Sequence, residues 1–178
     1  MHDGLGVHTA EGALGGAMGT LFLGRVMRMA QRLPERLKPT TPREDPGEFV
    51  IAKLERLLPR PLSPAEREAL AQGLHWAYGI AWGGLLGLAT ARVRIRTIRA
   101  ALLAGAALGA AVWAAGYAGW MPLARLTPPV QRQGTRHAGM SLLEHVAYGV
   151  VSAAPIYLLD RMARKRPWYE RLLEKLER

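Results

Sequence analysis

Ionisable side chains inside otherwise apolar runs are the first place to look for chemistry, because burying them in hydrocarbon is costly and they persist there for function or for pairing. His75 stands near the start of one such run, and Glu144 and His145 near the start of another. Each histidine is followed three residues later by a tyrosine, Tyr78 and Tyr148, so each pair shares one helix face. Imidazole titrates near neutral pH and a nearby carboxylate favours its charged form, so His75, Tyr78, Glu144, His145 and Tyr148 form a candidate polar cluster able to take up protons. The plainer reading, which the pattern favours, is that each histidine hydrogen-bonds a backbone carbonyl or a headgroup near a membrane surface. Haem ligation by the paired histidines is a third and weaker reading. Imidazole can serve as an axial ligand in a helical bundle, but each histidine is alone on its helix, without short metal-ligand spacing. Ser141, Glu144 and His145 lie on one segment and point in different directions, so they do not make a catalytic triad. Neither a GxxxxGK loop nor a GxGxxG turn after a strand occurs. The expectation is therefore no catalytic residue, no metal and no cofactor.

The segments that carry these residues read as membrane helices. A bilayer core needs about 20 mostly apolar residues in helical form. Four runs approach this: about 7–27, 73–91, 100–121 and 140–159. The run from Ala100 to Met121, AALLAGAALGAAVWAAGYAGWM, has no ionisable Lys, Arg, Asp, Glu or His and closes in Trp120, an interface residue. The second opens with Trp76 and Tyr78, and the fourth contains Pro155, where a local kink is tolerable. The first is the most polar, with His8, Glu11 and Arg25. Met1 to Gly6 lacks a basic region, so this run is expected to be a retained span. The expected fold class is all-α: a four-helix transmembrane bundle of two helical hairpins over 1–162, followed by a basic amphipathic tail, 163–178.

The 178 residues carry a formal net charge of +10 and no cysteine, which excludes disulfides and thiolate metal sites. Arginines crowd at the ends of apolar runs, where anionic headgroups would meet them, so the charge points to a bilayer and not to nucleic acid. The link with Arg92, Arg94, Arg96 and Arg99, and the cluster Arg161, Arg164, Lys165 and Arg166, belong in the cytoplasm by the positive-inside rule, with both termini. Arg25, Arg28 and Arg32 argue the opposite way. The polar loop 28–72 then faces outward. Inside it Val50, Leu54, Leu57 and Leu58 recur at helical spacing and predict a short amphipathic helix, while Ser63, Pro64 and Glu66 form a capping box that starts a helix running into the second span.

The two halves echo one another. His75-Trp76-Ala77-Tyr78-Gly79-Ile80 is matched by His145-Val146-Ala147-Tyr148-Gly149-Val150, and Gly12–Met18 resembles Gly105–Val112. Two-span repeats of this kind would be related by an axis along the membrane normal. Gly79, Gly83 and Gly87 form a four-residue stripe, Gly149 continues one in the fourth span, and Gly105 and Gly109 offer another; such stripes let backbones approach closely. If the stripes of spans two and four pack together, the two histidines come close.

HWAYGIAWGGLLG, MPLARLTPPV and the Glu-His pair opening the last span resemble the YagU-like family of bacterial inner-membrane proteins, whose biochemical activity is not established. The loop motif Thr127-Pro128-Pro129 is the most distinctive part. The resemblance covers most of 12–162 and implies four spans in the inner membrane; it supplies no catalytic residues. Two function classes stay open: a structural or interaction component of the membrane, and a small transport or proton-handling protein. The expected partners are the bilayer, with anionic headgroups at the basic clusters, and a second copy or larger membrane complex.

Overall fold

The computed structural model describes residues 3–30, 32, 46–93 and 95–164, and among these the regular structure is all helical, without a strand. Its elements are α1 (Asp3–Ala30), α2 (Pro46–Glu55), α3 (Pro64–Arg92), α4 (Ile98–Ala115), a π turn (Gly116–Trp120), α5 (Met121–Leu123), a short 3-10 turn (Val130–Arg132) and α6 (Thr135–Arg164). The 163–178 tail lies almost wholly outside the described residues, as does Arg94. Two helical stretches, Ile98–Leu123 and Thr135–Met162, are long and apolar enough to cross a bilayer.

Local chemistry explains where the helices start. At the head of α3 the Ser63 hydroxyl accepts the Glu66 N–H at 3.3 Å, and the Glu66 carboxylate accepts the Ser63 N–H at 2.8 Å. This is the expected capping box, and α3 continues from it without a break to Arg92. The Thr97 hydroxyl caps α4 by accepting the Ala100 N–H at 3.1 Å. α6 begins at Thr135, earlier than the expected fourth span, and runs through Pro155.

Glycines decide how the helices meet. On the α1/α3 seam, a Cβ added to Gly83 would lie 2.5 Å from Gly16 Cα, and one on Gly12 would lie 2.7 Å from Gly87 Cα. On the α4/α6 seam, a Cβ on Gly105 would lie 2.6 Å from Val150 Cα, and one on Gly109 would lie 2.5 Å from Val146 Cα. Both seams are antiparallel and too close for any side chain. α1 uses its other stripe against α6, where Gly15 abuts the Ser152 backbone and Gly19 the Tyr148 ring. The helices are thus joined in the order α3, α1, α6, α4, while α3 and α4 barely touch. The stripes of α3 and α6 do not face each other as expected. Each is consumed inside its own hairpin, because the glycine notch that complements it lies on the preceding helix.

The glycine seams carry small and hydroxyl-bearing residues, with Thr20, Thr90 and Ser152 buried, and beside them Leu86, Ile95, Leu108, Val112, Tyr148 and Ile156 form a buried apolar cluster. Other large apolar side chains point outward: Leu103 is 72% exposed, Leu143 59%, and Leu14, Leu85 and Leu158 about half.

The amphipathic helix in the loop, α2, is shorter than its pattern implied. Ile51 is its fully buried residue and Phe49 packs on Tyr117, Met121 and Leu126, whereas Leu57 and Leu58 lie beyond its end and are exposed. The helix stops at Glu55 because that carboxylate is committed to the next turn, accepting the Leu62 N–H at 2.9 Å and pairing with Arg67.

Candidate functional site

Of the five residues expected to form a polar cluster, one reaches across the bundle. The Tyr148 hydroxyl on α6 donates to the Gly79 carbonyl on α3 at 2.6 Å, and the ring is buried. This bond links α6 to α3 at the level where the missing side chain of Gly79 makes room for Thr20 of α1. The His145 Nδ1 lies 2.7 Å from the Ser141 carbonyl. A carbonyl only accepts, so Nδ1 carries the proton in this arrangement. His75 is exposed and, among the described residues, joins no hydrogen bond or ion pair. Tyr78 is half-exposed, packs edge-on against Trp82 at 6.1 Å, and directs its hydroxyl toward Gly116. Glu144 is partly buried on α6. The two histidines do not meet as expected, because their helices each turn their glycine stripe toward a different partner.

Buried hydroxyls near this level are satisfied within their own helices. Thr20 donates to the Gly16 carbonyl at 2.8 Å and Ser152 to the Tyr148 carbonyl at 2.9 Å. Sequence reasoning noted His8 and Glu11 only as charges that weaken the first span. In the structure they pair at 3.0 Å, partly buried, one turn before Gly12 and Gly15. The signal was present in their three-residue spacing.

The loop motif is a clamped turn. Leu126 and Thr127 are each 3% exposed, and Arg125 takes a left-handed φ of 62° to turn the chain there. The Gln133 amide donates to the Pro128 carbonyl at 2.6 Å and its oxygen accepts the Tyr117 hydroxyl. Tyr117 belongs to the π turn and stacks on Trp113 at 6.0 Å. The π turn thus aims Tyr117 at the loop, the kind of local re-aiming for which such single turns are used.

Electrostatics are strongest at the elbow between α2 and α3. Arg67 bridges Glu48 at 2.6 Å and Glu55, and Arg60 pairs with Glu66 at 2.6 Å. The hydrogen bond from Arg60, with those from Ser63, lowers the Glu66 carboxyl from the usual 4.5 to about 2. The Leu62 N–H, then Arg67, holds Glu55 below its usual value.

Comparison with protein-family models, characterised proteins and solved structures finds no match to this chain.

The arrangement offers little for covalent chemistry. The buried hydroxyls of Thr20, Thr90, Tyr148 and Ser152 donate to main-chain carbonyls, and no described serine is hydrogen-bonded to a base. Among the described residues no group of three or more His, Asp or Glu side chains stands at metal-binding separations. The site is best described as a packing centre: Tyr148, Gly79, Ser152 and Gly19 converge where α1, α3 and α6 meet.

Proposed function

We propose that this chain is a four-span protein of the inner membrane that acts as a structural or interaction component, with both termini in the cytoplasm. The observation that carries the reading is the inverted polarity of the bundle. Along the closed seams the helices touch through glycine, serine and threonine, and many leucines cover the outside, although Leu86, Leu108, Val112 and Ile156 are buried. In water this arrangement would forfeit the main driving force for folding. In lipid it is favourable, because close backbone packing and interhelical hydrogen bonds drive association there. α1 and α3 lack the long apolar windows of α4 and α6, and their polar groups are met locally: His8 and Glu11 pair with each other, and the acidic and basic start of α3 lies in the elbow.

The reading includes a repeat. A Cβ on Gly16 would meet the Gly79 carbonyl and Ile80 Cα; one on Gly105 would meet the Gly149 carbonyl and Val150 Cα. The contacted residues are the matched positions of the two HxAYG segments. α1 and α4 are then equivalent with Gly16 opposite Gly105, one turn away from the register in which Gly12 is set on Gly105. The YagU-like likeness, which rests on the motifs quoted above, fits a membrane bundle whose distinctive parts are packing and turn elements.

The test is extraction of expressed membranes with alkaline carbonate and then with detergent. Retention through carbonate and release by detergent supports the proposal; release by carbonate overturns it. The proton-handling alternative draws on the partly buried Glu144 and the His8–Glu11 pair. It is distinguished by acidification of a trapped pH-sensitive dye in vesicles containing the protein. The structural reading expects no protein-dependent uptake, and His145→Asn or Glu144→Gln then alters stability alone.

A further inference from the structure

The contact pattern of the two hairpins makes a demand that the bundle does not meet. If α1 corresponds to α4 and α3 to α6, the α1/α6 seam should be matched by an equally tight α3/α4 seam. It is not: α3 and α4 hold apart along most of their length. The residues at the corresponding positions show why. Where the closed seam sets Gly15 on Ser152, the open one has Ala104 and Trp82. Where the closed seam has Gly19, the open one has Leu108. An indole in place of a serine keeps the helices from closing.

What is left is an apolar groove of about 430 Å³, within the size range of small-molecule sites. Leu86 and Leu108 form its buried floor, Trp82 stands in one wall, and Ala100, Ala104 and Ala111 line the other. It runs toward the link between α3 and α4, where Val93 and Ile95 line it. Beside it, on the α1 side of α3, lies a second notch that shares Leu85 and Ala89 and is edged by Leu5, Leu88 and Arg92. Arg92 edges that notch, and Arg96 and Arg99, both exposed, are the sequence neighbours of Ile95 and Ala100, which line the groove.

We propose that the α3–α4 groove binds an anionic phospholipid, with an acyl chain lying against Trp82, Leu86 and Leu108 and the phosphate held by Arg92 and Arg99. The inference rests on the membrane reading, which makes hydrocarbon the medium outside the groove. Charge complementarity selects the occupant. A helix from a second copy would need apolar surface along the whole groove, whereas this groove is apolar for its length and cationic at one mouth, the polarity of one lipid molecule. Arginine provides two parallel donors to a phosphate, which fixes a headgroup where a lone charge would only attract it.

The test uses quenching of Trp82 by brominated acyl chains in the full chain with Trp76, Trp113, Trp120 and Trp168 replaced by Phe. Vesicles contain phosphatidylglycerol and phosphatidylcholine in equal amounts, with bromine on one lipid or on the other, so surface charge is constant. The expected result is stronger quenching by brominated phosphatidylglycerol, with the preference falling roughly fivefold per arginine in Arg92→Ala and Arg99→Ala. Filling the groove by Ala104→Leu should remove the preference while the protein stays helical. Equal quenching by the two lipids in the parent, or a preference unchanged by both arginine substitutions, overturns the proposal, as does shielding of Trp82 by a second copy detected by cross-linking. If the tryptophan substitutions prevent folding, native mass spectrometry of the unmodified chain from the same vesicles, unbrominated, replaces fluorescence: retained phosphatidylglycerol is expected, and equal retention of the two lipids overturns the proposal. Failure of the chain to enter vesicles at all would instead overturn the membrane reading.

Discussion

Replacing Gly105 by alanine adds one methyl group at the tightest part of the α4/α6 seam, and the structure sets the size of the effect. The new Cβ would stand 2.6 Å from Val150 Cα and equally inside the reach of the Gly149 carbonyl. Carbon atoms prefer separations of about 3.5–4.0 Å, so the helices must part by roughly 1 Å. They cannot part at one point only, since Gly109 is as close to Val146 one turn further on. A gap of that size forfeits about a quarter to a half of each dispersion contact along the seam. Overpacking of this kind costs about 1–3 kcal/mol. The control is the same substitution at Gly73 of α3 or Gly139 of α6, where a Cβ meets nothing within 4 Å. There alanine should stabilise by about 0.5–1 kcal/mol, by restricting the unfolded chain and favouring the helix. Unfolding in mixed micelles with increasing dodecyl sulfate, followed by helical circular dichroism, reads both. If Gly105→Ala and Gly73→Ala move the midpoint in the same direction, or Gly105→Ala changes it by less than about 0.5 kcal/mol, the close-packed seam is refuted.

Three further outcomes are expected. Tyr148→Phe removes the hydrogen bond to Gly79 but keeps the ring against Gly19; unfolding in the same micelles should show a loss of about 0.6 kcal/mol, at most about 1.7. Ser152→Trp should wedge α1 from α6, where Gly15 and Gly19 leave no room for an indole, and lower the unfolding midpoint in the same micelles. Glu66 has a folded pKa of about 2 against an ordinary 4.5, so its contribution to the elbow is complete above the ordinary value and disappears as pH falls through about 2. Limited digestion with pepsin should therefore find the segment between α2 and α3 increasingly open over that window, and Glu66→Gln should make it open already at the upper end.

Much of the fold could be read in advance where a local rule governs it. Ser63, Pro64 and Glu66 specify a helix start by main-chain chemistry alone, and the helix begins there. Glycines at four-residue steps mark faces that approach another backbone, and Gly79, Gly83, Gly105 and Gly149 all do. What such a stripe does not encode is its partner: the condition for bringing the histidines together, α3 packed on α6 through their glycines, is not met. The register of the proposed repeat is open to the same ambiguity: alanine and glycine are both small enough for a seam, so identity counts do not separate adjacent turns. In α2 the apolar pattern was counted from Val50 and Leu54, but burial depends on which side faces the bundle, and that side carries Phe49 and Ile51. The π turn had no legible local signal, since its register is set by Tyr117 reaching Gln133 in a loop 16 residues on.

The same physical argument separates what is general in this bundle from what is particular. A hairpin repeated twice, with glycine notches on both helices, would close into a symmetric four-helix ring if every seam carried the same residues. Three seams here do close, and each does so through glycine or serine at the contact. The fourth carries Trp82 and Leu108 instead, bulky residues facing alanines where close approach would require glycine. In lipid there is no hydrophobic gain from shutting an apolar gap, because acyl chains fill it equally well. An open seam therefore costs little in this medium, whereas in water it would collapse or demand a cover. The lipid proposed above would lie in that open seam, where the fold leaves room for a molecule and the arginines of the adjoining link would select its charge.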